Sequence, residues 1–370
     1  MPNKKTETEI QLHVTDSMLD DVAANAALAH TTELIIEGWG TFVGKHSERL
    51  RISRKTGPSE EVPLEHLQQI LVMSGGVSLS SDAIEECAKR GIPVHFMDYA
   101  GRAYASLFSG QLTGTVKTRR EQIFAYRDGR GLHLGKSFAS GKIHNQLNLL
   151  RYMSKNRSEK MPDLFAQVRQ TTLNLEAMAD AVMALPGPNI DAVRGQLLNL
   201  EGRAAHLYWQ QMQKLLLVDT DWPGREGQGA TDLVNSLLNY GYGVLYTRVE
   251  QALMLAGLDP FAGFVHTDRP GKPSLVYDLV EEFRQPVVDR TVFALLNLKA
   301  GLEQDEQGRL TAETRKLLVR KLTERLLVGH ERYERKNQKL QYILYNQARH
   351  IASFVKGDLA QPYEAFVCSW

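Results

Sequence analysis

The hydrophobic period of this chain changes once, near residue 114, and that change restricts it to a small β-rich part followed by a large helical one. From Thr32 the sequence is cut into short runs: ELIIEGWG, TFVGKH, RLRISRK and QQILVMSGGVSLS. Gly38, Gly40, Gly44, Gly57, Gly75 and Gly76 interrupt them at strand-length intervals. SSDAIEECAKRG predicts one short helix with a serine or aspartate start and Gly91 as its stop, and IPVHFMDYAGRAYASLF a further pair of strands. Beyond Gly114 apolar residues recur at three- and four-residue spacing almost to the end. The predicted helices are TRREQIFAYR, FASGKIHNQLNLLRYMSKN, MPDLFAQVRQTTLNLEAMADAVMAL, IDAVRGQLLNLEGRAAHLYWQQMQKLL, ATDLVNSLLNYGYGVLYTRVEQALMLAG, SLVYDLVEEFRQPVVDRTVFALLNL, TAETRKLLVRKLTERLL and NQKLQYILYNQARHIASFVKG. The expected class is α+β, with a helical extension over 1–30, a β-rich domain over 31–114 and an all-α domain over 115–370.

Composition removes several classes. No apolar run approaches the roughly 20 residues that span a bilayer. The start, MPNKKTETEIQLHV, lacks the apolar stretch of a secretory signal, so a cytoplasmic protein with no membrane partner is expected. Cys87 and Cys368, the only cysteines, cannot build a cysteine-rich zinc site. SGG (74–76) is followed by no Gly-Lys-Ser/Thr, and G-x-S-x-G, C-x-x-C and the dinucleotide fingerprint are absent.

A net charge of +1 conceals local excess. Between Arg309 and Lys339 stand ten Lys/Arg, Arg320 and Lys321 among them, against four acids. A second cluster holds Lys117, Arg119, Arg120 and Arg127. Such runs are commonly solvated helix faces. Beside a site for phosphate chemistry they become candidate DNA contacts.

That site is suggested by Asn235–Arg290. His266 sits on a loop whose course is set by Pro260, Gly263, Pro270 and Gly271. Ser274 can cap the next helix, whose inward stripe is Leu275, Val276, Leu279, Val280 and Phe283. At about 100° per residue, Asp278 and Glu281 lie about 60° apart on one flank of that stripe. Glu201, from another helix and beside Gly202, Ala204 and Ala205, offers a third ligand. His206 points about 140° away from Glu201 and reads as structural. Tyr240 and Tyr242 read either as phosphate contacts or as half-buried aromatics. Imidazole plus carboxylates is a donor set for a divalent metal, hence for metal-assisted phosphate chemistry.

LEGRAAHLYW, followed by DLVNSLLNYGYGVLYTRVEQALMLAGLDPFAGFVHTDRPGKPSLVYDLVEEFRQPVVDR, resembles the CRISPR-associated integrase family, the metal-dependent endonucleases of spacer acquisition. LIIEGWGTFVGK, TRREQ, GRLTAETRKLL and the closing YEAFVCSW extend the likeness to roughly residues 32–370. The resemblance implies a β-sandwich-like amino-terminal domain and an all-helical catalytic domain. It places the EG-x-AA glutamate on Glu201, the GF-x-H histidine on His266 and the DL-x-E acid on Glu281, with Asp278 assisting. It further implies Mg2+ or Mn2+, double-stranded DNA (prespacer and repeat array), a homodimer and a small companion protein. A related mobile-element integrase or a nuclease of branched DNA would share this site. A catalytically idle DNA-binding scaffold would not need all three ligands.

Overall fold

The computed structural model describes Glu33 to Trp370 apart from residues 66, 68, 99–102, 110–115, 219, 228 and 360. The helix expected within residues 1–30 lies outside the described residues. Two compact units divide between Val94 and His95.

The first unit is built from the glycine-punctuated runs. Strands β1 (Glu33–Ile36), β2 (Phe42–His46), β3 (Arg49–Ser53), β4 (Glu60–Pro63), β5 (Gln69–Val72) and β6 (Ser78–Leu79) precede helix α1 (Ser81–Lys89). β7 (Val94–Met97) begins at the division, and β8 (Ala103–Leu107) belongs to the second unit. The strands of the first unit form a four-stranded sheet, ordered β4-β3-β2-β6, and the pair β1-β5. β5 runs parallel to β1 and is buried along its whole length, Gln69 included, as its apolar Ile70, Leu71 and Val72 require. β3 alternates: Leu50 and Ile52 go inward, while Arg51 pairs with Glu61 directly opposite on β4 at 2.8 Å. The Ser80 side chain accepts the Ala83 N–H to start α1, and Gly91, at φ 66°, follows its end.

Beyond β8 the second unit is largely helical: α2 (Val116–Ala125), α3 (Gly129–Ser154), α4 (Pro162–Ala184), α5 (Arg194–Leu215), α6 (Leu233–Leu255), α7 (Ser274–Val280), α8 (Arg290–Asn297), α9 (Ala312–Leu327) and α10 (Leu340–Lys356). With the strands of residues 33–107 preceding these helices, the order is the expected α+β one. α3 packs most extensively on α4 and α5. Asp232 caps α6 and Thr311 caps α9, each through its side-chain oxygen.

Two expectations are corrected. SLVYDLVEEFRQPVVDRTVFALLNL is not one helix: α7 stops at Val280, a π-helical turn covers Arg284–Asp289, and α8 begins at Arg290. Pro286 has no N–H to give to the carbonyl of Glu282, four residues back. Asn145 Nδ2 donates to that carbonyl instead, at 2.9 Å. NQK does not open the last helix either. It lies in β10 (Lys336–Lys339), paired antiparallel with β9 (His330–Tyr333). Glu334 and Arg335 make the two-residue turn with φ of 47° and 65°, the conformation that matches strand twist.

Candidate metal centre

The GFVH loop is folded around a carboxylate. Asp278 Oδ2 accepts the backbone N–H of Phe264 at 2.6 Å and of Val265 at 3.1 Å, and Oδ1 accepts that of His266 at 3.0 Å. Successive amides aimed at one anion fix the loop's course. Gly263 is needed for the close approach: a Cβ there would lie 2.7 Å from the Ser274 backbone. Oδ1 also lies 2.7 Å from His266 Nδ1. A neutral imidazole so held carries its proton on Nδ1 and offers Nε2 as the ligand nitrogen. Burial pulls the His266 pKa down, but the hydrogen bond and charge of Asp278, with the charges of Glu281 and Glu201, outweigh it and leave the value raised. Ser274 is not the expected cap: it is the first residue of α7, after Pro273, and its Oγ donates to the Thr267 carbonyl at 3.2 Å.

Asp278 and Glu281 are both buried, so neither belongs to a solvated flank. They also serve different partners. Glu281, just past α7, meets cations: Lys142 Nζ lies 2.8 Å from its Oε2 and Arg284 Nη2 3.2 Å from its Oε1. The same Lys142 ammonium lies 2.5 Å from Glu201 Oε1. Burial pushes the Glu281 carboxyl up, but Arg284 and Lys142 win and hold it below the usual carboxylate range. Arg284 also lies 4.6 Å from the Tyr242 ring centre and donates to the Tyr246 hydroxyl at 2.8 Å. Two carboxylates and two cations thus form a quartet with no net charge. Lys142 was missed from sequence. Its only signal was a lone lysine in a run of core-forming residues, FASGKIHNQLNLL, with no acid within a helical turn.

Among the described residues, no three imidazole, thiol or carboxylate groups close on one point as a ready metal cage. Glu201 and Glu281 close instead on the Lys142 ammonium. Among the described residues, Glu281 Oε2 is buried with that ammonium as its one polar partner. A buried carboxylate oxygen held only by a lysine, a second carboxylate and an Nε2-presenting imidazole suit a hard divalent cation that displaces the lysine.

The other candidates separate. His206 is exposed and lies 2.9 Å from Gln210 Nε2. Tyr240 and Tyr242 are buried, and the Tyr242 hydroxyl donates inward to Asp289 at 2.5 Å, beside that of Tyr208 at 2.7 Å. Burial pushes Asp289 up to about 6 against those two hydroxyls. Cys87 and Cys368 are free and buried. Arg119 and Arg120 are exposed on α2. On α9 Arg320 is exposed and Lys321 half-buried, and they share Glu324, at 4.0 and 2.7 Å, while Arg325 turns inward to Glu331 and the Pro286 carbonyl. The positive excess of 309–339 is therefore partly consumed within the fold.

A cavity of about 450 Å³ opens over the imidazole, lined by Leu198, Tyr246, His266, Arg269, Lys272 and Tyr277. A larger one, about 760 Å³, shares Tyr246, Lys272 and Tyr277 with it and reaches Arg119. Cations and aromatic rings in one groove can hold a sugar-phosphate strand and stack its bases.

Residues 34–324 match the family model described as CRISPR associated protein Cas1. This chain belongs to the Cas1 family. Glu201, His266 and Glu281 all fall within the matched span. The chain is 35% identical over 348 residues to the CRISPR-associated endonuclease Cas1 1 of Archaeoglobus fulgidus, covering 91% of this chain and 99% of that one. Among solved structures, a casposase bound to integration product aligns with a TM-score of 0.74 at 22% identity, over 90% of this chain and 92% of the other. A chain of a Cas6-RT-Cas1–Cas2 complex aligns with a TM-score of 0.72 at 23% identity, over 91% of this chain and 36% of the other. At those identities the structures establish a shared fold. Among the described residues, no helix is long and apolar enough to cross a membrane.

Proposed function

We propose that this Cas1-family chain is a metal-dependent DNA endonuclease and integrase that inserts short DNA fragments as new spacers into a CRISPR array. The observation that carries the site assignment is the meeting of Glu201 and Glu281, from separate segments, at one buried ammonium. The charges of both act on His266. Glu201, His266 and Glu281 would hold the metal, Mg2+ or Mn2+. When bound, the ion supplies neutralisation of phosphate charge and a lowered pKa for an oxygen nucleophile.

In strand transfer a terminal 3′-hydroxyl attacks a backbone phosphorus. A new P–O bond forms, the existing P–O3′ bond breaks, and the attacking hydroxyl's proton is lost as the departing 3′-oxygen gains one. Asp278 holds the imidazole in the ligating tautomer. Lys142 and Arg284 keep positive charge beside the phosphate. The adjoining cavities, with Arg269, Lys272 and Arg119, give the strand a path, and Arg120, Arg320 and Lys321 add contacts to the duplex backbone.

The reading includes a homodimer and a small companion protein of the kind in the Cas1–Cas2 assembly that the fold resembles. Identity of 35% to a CRISPR-associated endonuclease over nearly the whole chain favours the CRISPR setting over a mobile element. The test is integration of short duplex DNA into a supercoiled repeat-containing plasmid, with and without Mn2+. Glu201→Ala should abolish transfer and keep DNA binding. Undiminished transfer by that variant would remove the assignment.

A further inference from the structure

Lys142, on α3, and Glu281, just past α7, belong to separate segments. A third segment ties them together: the carboxy-terminal run YEAFVCSW. Asn145, one turn after Lys142 on α3 and fully buried, spends its whole amide on the junction. Its Nδ2 donates to the Glu282 and Phe366 carbonyls, each at 2.9 Å, and its Oδ1 accepts the Cys368 N–H at 2.7 Å. Glu282, the neighbour of Glu281, accepts from the Tyr363 hydroxyl at 2.6 Å, Gln347 Nε2 at 2.8 Å and the Phe366 N–H at 2.9 Å. Phe283 stacks on Phe366 with ring centres 5.4 Å apart. Gly141, adjacent to Lys142, admits the tail: a Cβ there would lie 2.6 Å from Ala365 Cβ. The end of the tail is anchored separately, with the Trp370 ring 5.5 Å from Tyr152 and 5.3 Å from the Arg290 guanidinium.

We infer that Tyr363–Phe366 is a positioning element of the metal centre, which sets Glu281 against Lys142 by gripping Glu282 on one side and Gly141–Asn145 on the other. It acts as outer-shell partners do, by fixing the backbone from which a ligand projects. The inference rests on the metal-centre reading above.

The test uses the full chain and reads Mn2+ binding by the loss of the free-ion electron paramagnetic resonance signal, beside strand-transfer kinetics. Gly141→Ala replaces a helix-interior glycine, so it favours the helix itself while its methyl group displaces the tail. It should weaken Mn2+ binding by about tenfold or more, the range for outer-shell changes, and lower kcat with KM for DNA unchanged. Ala365→Gly removes the opposing methyl group. Adding it to Gly141→Ala should restore binding to within about threefold of wild type, the coupling expected of two residues in contact. Tyr363→Phe, which removes only the hydroxyl on Glu282, should weaken binding in the same sense. If the folded Gly141→Ala and Tyr363→Phe proteins bind Mn2+ like wild type, or Ala365→Gly gives no recovery, the tail has no positioning role. Absence of Mn2+ binding by wild type would instead overturn the metal-centre reading, and this inference with it.

Discussion

Asp278 grips His266 at two points, taking its backbone N–H at 3.0 Å and lying 2.7 Å from its ring Nδ1 with the same oxygen. The acid three residues before the proposed ligand Glu281 is therefore the support of the histidine. Asp278→Ala should leave three backbone amides and a ring N–H without their acceptor. At about 1–3 kcal/mol for each buried group left unpaired, a loss of at least ~4 kcal/mol is expected. Asp278→Asn keeps one acceptor oxygen and should cost less stability, yet still weaken Mn2+ binding by about 10–100-fold. Urea denaturation and metal titration of both variants check this. Equal metal affinity in Asp278→Asn and wild type would show that the ring needs no such support.

The raised pKa of His266 makes metal binding depend on pH. Below its folded pKa the ring holds a proton that a metal must displace, so apparent affinity should fall as pH falls, approaching about tenfold per unit for one proton. For folding in the absence of metal the sign is opposite. A histidine with raised pKa stabilises the fold fully below its unfolded value, near 6.5, and that contribution disappears as pH rises through the folded pKa. Calorimetric Mn2+ titrations in buffers of differing ionisation enthalpy, from pH 6 to 8, would count the proton released. No release at pH 6.5 would remove His266 from the ligand set.

Lys142 both stabilises the metal-free site and competes for it. Lys142→Met leaves Glu201 and Glu281 without their shared cation, which should cost about 3 kcal/mol, the lower range for breaking a buried pair from one side. Added Mn2+ should then raise the melting temperature of Lys142→Met by more than it raises that of wild type, because the ion no longer displaces an ammonium. Thermal melts with chelator and with Mn2+ make the comparison. A smaller shift in the variant would place the metal elsewhere.

DNA affinity should fall steeply with salt, with a slope of about −0.9 per phosphate neutralised. Glutamate at both Arg119 and Arg120 should weaken binding across all sequences. The same change at Arg320 and Lys321 should also weaken it, but less, because Glu324 already draws on both side chains. Filter-binding isotherms at several salt concentrations give slope and affinity together. Unchanged affinity in either double variant would return those residues to a solvated helix face.

The residues of the candidate site can be named from the sequence. Glu201, His266 and Glu281 stood in recognisable motifs, and the loop breakers around His266 implied a fixed course. Asp278 was legible as a partner but not in its role, since helical phase placed it beside Glu281 without showing that its oxygens turn back to the loop. The interruption after Val280 was signalled by Pro286. The acceptor it leaves free is satisfied by Asn145, 137 residues earlier in the chain, which no local pattern could indicate.

The sequence by itself determined where strands give way to helices, which faces are apolar, and which residue types could bind a metal. Period, caps and breakers are local physics, expressed within a few residues. Only the tertiary structure decided that Lys142 stands between Glu201 and Glu281, that Tyr242 turns inward to Asp289, and that the final residues clamp Glu282. Each depends on groups far apart in the chain that share a buried volume. There the strength of a charge or hydrogen bond is set by distance in space and by the exclusion of water, neither of which is written in neighbouring residues.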